Sequence, residues 1–159
     1  MSMEQNEQLI KISIWINPRL NRLELFIIPV FFLIYALKEY VSSSFETIVV
    51  APLGILAILY FFNAFYPSDK ENFTDLAKVI SKLCNISLSV VVIGIIYGIF
   101  GLTGTIRMFT IAIPVIIGGL VLSIYFKKKE PSIELFDGRM LLRLIIGLMI
   151  CLAFVFFIN

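Results

Sequence analysis

The sequence has no histidine and only two cysteines, Cys84 and Cys151. Without imidazole there is no Ser-His or Cys-His nucleophilic pair, no His-ligated metal centre, and no side chain whose unperturbed pKa lies near neutrality. Two thiols cannot build a disulfide framework or a four-thiolate zinc site. Charge is also scarce. Only 15% of the 159 residues are Asp, Glu, Lys or Arg, against about 25% in ordinary soluble domains. Tryptophan occurs once, at Trp15. Phosphate-binding loops, dinucleotide-binding glycine patterns and EF-hand spacings are absent. The net charge of +2 gives no reason to expect a nucleic-acid partner.

What the chain has in abundance is apolar side chain. Hydrophobic residues make up 60% of it and the mean hydropathy is +1.00. A soluble globule of this size is mostly surface and has no interior large enough for that content. A transmembrane helix needs about 20 mainly apolar residues, and five stretches qualify: 23–40, 47–66, 80–102, 107–126 and 140–158. The fold class expected is an all-α integral membrane protein with a single membrane domain over 1–159. It is a five-transmembrane-helix bundle with an N-terminal amphipathic interfacial helix over 1–17.

The first span is the shortest, with an uninterrupted apolar run over 25–37. A cleaved signal peptide fits it poorly, because the leader carries Glu4 and Glu7 and no A-x-A-like site follows the run. Local chemistry marks the helix ends. Asn17-Pro18 reads as an N-cap followed by proline at the first helical position. Ser43 with Glu46, and Ser68 with Glu71, fit capping boxes, and Asp137 reads as a cap for the fifth span. The short link 101–105 makes the third and fourth spans an antiparallel hairpin.

In the leader, Leu9, Ile10, Ile12, Ile14 and Ile16 fall on one broad helical face and Glu4, Glu7, Gln8 and Lys11 on the other. That pattern suits a helix lying in the membrane interface, with Trp15 at its edge. The alternation around Ile10, Ile12, Ile14 and Ile16 also fits a strand, but a lone strand at a membrane surface would leave its edges unpaired.

Basic residues orient the chain. Lys11, Arg19, Arg22, Lys70, Lys78, Lys82, Lys127, Lys128, Lys129, Arg139 and Arg143 fall on one side of the five spans, and Lys38 and Arg107 on the other. The positive-inside rule then predicts a cytoplasmic N-terminus and an external C-terminus, in a plasma (bacterial inner) membrane. Trp15, Tyr66 and Tyr125 fall at the inner interface and Tyr40 at the outer one, as amphipathic rings prefer. The Lys127-Lys128-Lys129 run is a topology determinant and a candidate contact for anionic lipid.

Ionisable residues deep in a bilayer mark functional sites by default. Here Glu24, Lys38, Glu39, Arg107, Arg139 and Arg143 all lie near enough to a span end to snorkel, and no carboxylate sits mid-span. The milder polar residues Asn63, Asn85 and Ser87, with Arg143, form an inner-leaflet polar layer. It reads either as interhelical hydrogen bonding or as a cytoplasm-facing vestibule. Cys84 and Cys151 differ in depth by about 10 Å, beyond the roughly 7 Å limit for a disulfide. Small residues at i, i+4 spacing (Gly94 with Gly98, extended by Gly101; Gly119 with Ser123; Gly147 with Cys151) predict close helix packing, within or between subunits. Pro114 predicts a bent fourth span.

No catalytic, cofactor-binding or metal-binding constellation emerges. The expected function is that of a non-enzymatic multi-pass membrane protein acting through assembly, as a homo-oligomer or as the membrane subunit of a complex. Its partners are the lipid bilayer, itself, or a membrane or cytoplasmic protein. The alternative is a small channel or transport protein formed by oligomerisation, with Asn63, Asn85, Ser87 and Thr110 facing water.

Overall fold

A computed structural model describes residues 3–37, 45–67, 75–129 and 138–157. The described residues form five α-helices: α1 (Met3–Ala36), α2 (Phe45–Asn63), α3 (Asp75–Ile99), α4 (Thr105–Lys129) and α5 (Gly138–Phe157). Each helix packs on its neighbour in sequence, and α3 also touches α5. Helix α3 is therefore central, with Ala77, Cys84, Leu88, Val91 and Val92 among its buried residues.

Among the described residues, three helical segments, Asp75–Ile99, Thr105–Phe126 and Gly138–Phe156, are long and apolar enough to cross a membrane. The apolar part of α2, Val50–Asn63, is shorter. The outer surface is apolar as well: Leu25 and Phe26 of α1, Ile111 of α4, and Met149 and Phe156 of α5 are all largely exposed. Together these features suggest a membrane location.

The first helix departs from the sequence expectation. No break occurs at Asn17-Pro18, and a single helix of 34 residues runs through both Pro18 and Pro29. Proline removes one backbone donor and strains the turn before it. Here Arg19 Nη1 donates to the Trp15 carbonyl at 2.9 Å in the disturbed turn. The larger reason is packing. Ser13, Ile16, Leu20 and Ile27 form one buried stripe that crosses the proline. Burying that stripe as a unit outweighs the local stop signal, since most helical stability in proteins comes from tertiary packing. The isoleucine face expected for a flat interfacial helix is thus divided: Ile16 is buried in the stripe, while Ile12 and Ile14 are exposed. The Ser13 hydroxyl, on the buried stripe, donates to the Ile10 carbonyl at 2.7 Å.

The link between α3 and α4 forms a tight hairpin. Gly101 has φ +62° and Gly104 φ +121°. The Leu102 amide donates to the Tyr97 carbonyl at 2.9 Å and the Gly101 amide to the Gly98 carbonyl at 3.2 Å. This pair of bonds is a Schellman motif with glycine at the left-handed position. Gly101 therefore caps α3 in the turn and takes no part in a helix-packing face. The cap residues expected at Ser43, Ser68, Glu71 and Asp137, and the side chain of Glu46, lie outside the described residues.

Candidate functional site

The strongest polar constellation joins α1, α2 and α5. Arg143 and Glu24 form an ion pair with side chains only 14% and 12% exposed. Arg143 Nε lies 2.7 Å from Glu24 Oε1, but its N–H is aimed at Oε2, at 3.0 Å. Arg143 Nη2 donates to the same Oε2 at 2.8 Å and also to Asn21 Oδ1. Tyr60 of α2 is buried beside Glu24. Asn21 and Glu24 are three residues apart, so both face the same way from α1.

This arrangement corrects the snorkelling expected of both Glu24 and Arg143. A planar guanidinium has a fixed fork of donors that suits a carboxylate and an amide oxygen together. With those partners in reach, pairing inside the bundle replaces extension to water. Arg107 and Arg139 are exposed, while Lys38 and Glu39 lie outside the described residues.

A second polar contact joins α2 to α3. Asn63 Nδ2 donates to Asn85 Oδ1 at 3.0 Å, buried between the helices. Asn85 Nδ2 donates onward to the Ser81 carbonyl at 3.0 Å. Further along the same interface, Ser89 Oγ donates to the Ala57 carbonyl at 2.9 Å. Ser87 turns back on its own helix, bonding the Leu83 and Cys84 carbonyls at 3.0 Å. The four residues expected to form one layer are therefore divided. Asn63 and Asn85 pair with each other, Arg143 belongs to the Glu24 cluster, and Ser87 is satisfied locally. Thr110 is exposed on α4 and donates to the Ile106 carbonyl at 2.8 Å.

The glycines of the helix faces receive side chains from the same subunit. A Cβ built on Gly94 would meet Phe109 Cε1 at 2.7 Å, and one on Gly98 would meet Phe154 Cε1 at 2.8 Å. At Gly147 the nearest atom is Leu88 Cδ2, at 3.1 Å. On Gly119 the obstacle is the Cys84 sulfur, closer than any real Cβ contact. The rings of Phe109 and Phe154 lie 5.0 Å apart, so the Gly94 and Gly98 contacts belong to one aromatic cluster. Ser123, one turn beyond Gly119 on α4, is fully buried, and its hydroxyl has no partner among the described residues. Cys84 and Cys151 are both free and buried. Lys128 is exposed at the end of α4, and the side chains of Lys127 and Lys129 lie outside the described residues.

Sequence reasoning missed Asn21 and Glu24 as partners of Arg143. The one available signal was a carboxylate immediately before the apolar run of α1, with an arginine early in the apolar run of α5. The chain matches no protein-family model, no curated protein and no solved structure.

Proposed function

We propose that this chain is a non-enzymatic multi-pass membrane protein that acts through assembly, as a homo-oligomer or as the membrane subunit of a complex. In this reading α1 and α2 cross the bilayer with α3, α4 and α5, giving five spans. The N-terminus is cytoplasmic and the C-terminus external, in a plasma membrane. The observation that carries the reading is that five inner polar side chains are engaged with one another across helices: Arg143 with Glu24 and Asn21, and Asn63 with Asn85. Groups bound in this way act as fasteners between helices, which leaves the outer surface for function. The glycine faces are filled from within the subunit, so contact between copies or with a partner uses the outer apolar flanks of α1, α4 and α5.

Native mass spectrometry from a gentle detergent tests this. The expected result is a defined oligomer or a companion protein at fixed stoichiometry. A monomer carrying only lipid overturns it. Reporter fusions at the C-terminus test the orientation, and a reporter active only in the cytoplasm overturns that part. The channel reading loses support from the same geometry, because Asn63 and Asn85 bond each other and Ser87 bonds its own helix.

A further inference from the structure

The exposed face of α1 changes character along its length. Lys11, Trp15, Arg19, Arg22, Phe26, Pro29 and Leu33 follow one another at three- or four-residue steps, so they form a single stripe along the helix. All seven are exposed. The stripe is basic and aromatic as far as Arg22. From Leu25 onward it is apolar, with Leu25, Phe26 and Leu33 exposed by 77%, 71% and 62%. The change takes place within one helical turn. On the opposite side of the same helix, Ser13, Ile16, Leu20 and Ile27 are buried, so both halves of α1 are held against the bundle. The stripe is thus fixed relative to the rest of the subunit.

We infer that the part of this band nearest the apolar flank, Arg19 and Arg22, is a binding surface for anionic phospholipid headgroups, with the hydrocarbon boundary between Arg22 and Leu25. Three features fit that occupant. Lys11, Arg19 and Arg22 offer three positive charges on the band, with Glu7 exposed one turn beyond Lys11, on the side away from the boundary. The Arg19 guanidinium sits 4.6 Å from the centre of the Trp15 ring, a cation–π contact that holds charge and ring together. Arg22 and Arg19 lie about 5 and 9 Å along the helix before Leu25, so they meet the depth of a headgroup layer, and the apolar flank follows them as acyl chain follows headgroup. Other basic residues sit at the same end of the bundle. Lys82 of α3 lies 5.5 Å over the Phe65 ring just past α2, and Lys128 is exposed at the end of α4. Arg19 and Arg22 are therefore held at headgroup level by a helix that is fixed to the subunit. The inference needs only a membrane location and holds for a monomer as well as for an assembly.

The full chain is reconstituted in phosphatidylcholine vesicles carrying a trace of either phosphatidylglycerol or phosphatidylcholine spin-labelled in its acyl chain, and electron spin resonance gives the fraction of each held at the protein surface. Phosphatidylglycerol should be retained several-fold more strongly than phosphatidylcholine, and high salt should reduce the preference. The Arg19→Gln/Arg22→Gln double variant should lower the anionic-lipid preference about fivefold for each charge removed. Arg22→Lys should retain the preference. Equal retention of the two lipids overturns the inference, and so does an unchanged preference in the double variant.

Discussion

Arg143 of α5 holds Glu24 of α1 across 119 positions of sequence, with Nη2 2.8 Å and Nε 3.0 Å from one carboxylate oxygen. The contact ties the first helix to the last. Each helix packs on its sequence neighbour and α3 also packs on α5; this pair adds a direct link between α1 and α5.

Arg143→Leu should destabilise the fold by about 3–5 kcal/mol, because it leaves a buried carboxylate without its partner. Glu24→Leu should cost a similar amount. The double variant Glu24→Leu/Arg143→Leu should recover most of the loss, since neither charge then remains buried. Unfolding in mixed micelles of mild and denaturing detergent measures the three values. Simple additivity of the two single losses would show that the residues do not depend on each other.

The α2–α3 contact is weaker. Asn63→Leu and Asn85→Leu should each cost about 0.6–2 kcal/mol, the range for interhelical hydrogen bonds within a membrane. Asn85→Leu also removes the bond to the Ser81 carbonyl, so it should be the more damaging of the two. The same unfolding measurement ranks them, and the reverse order would contradict the geometry.

Gly119 offers a test of close packing. Gly119→Ala places a methyl on the Cys84 sulfur and should cost about 1–3 kcal/mol by overpacking. Adding Cys84→Ala removes the obstructing atom and should restore part of the stability. Gly118→Ala, where a Cβ meets nothing within 4 Å, should be neutral or stabilising, because alanine is the better helix former. Equal losses at positions 118 and 119 would refute the packing account.

At Gly101 the cost is conformational. With φ at +62°, Gly101→Ala should lose about 1–2 kcal/mol through left-handed strain. Gly101→Asn should lose less, since asparagine tolerates that region. A thermal-melt comparison of the two variants decides it, and equal melting temperatures would count against a strained cap.

Much of the architecture was legible beforehand. Long apolar runs announced helices, and the short glycine-bearing link announced a hairpin between α3 and α4. Both signals are local in sequence, which is why they survive without knowledge of neighbours. The proline at position 18 misled for the same reason. Its local meaning is a helix start, but the buried stripe through Ser13, Ile16, Leu20 and Ile27 carries the helix past it. The small-residue spacing pointed to close contacts, and the structure supplies the opposing side chains: Phe109, Phe154, Cys84 and Leu88. Gly101 shared that spacing and serves in the turn, because spacing alone does not distinguish a helix face from a cap.

By itself the sequence determined the class of structure. Hydropathy and helix length are sums over adjacent residues, so an apolar, helical chain could be read directly. Tertiary structure alone decided which polar groups meet. Asn63 and Asn85 lie on different helices, and Glu24 and Arg143 lie near opposite ends of the chain; no periodicity relates them. Whether a buried charge reaches for water or for a partner depends on what the fold brings within about 3 Å of it. For Glu24 that is a guanidinium, held 2.7 Å away on the last helix.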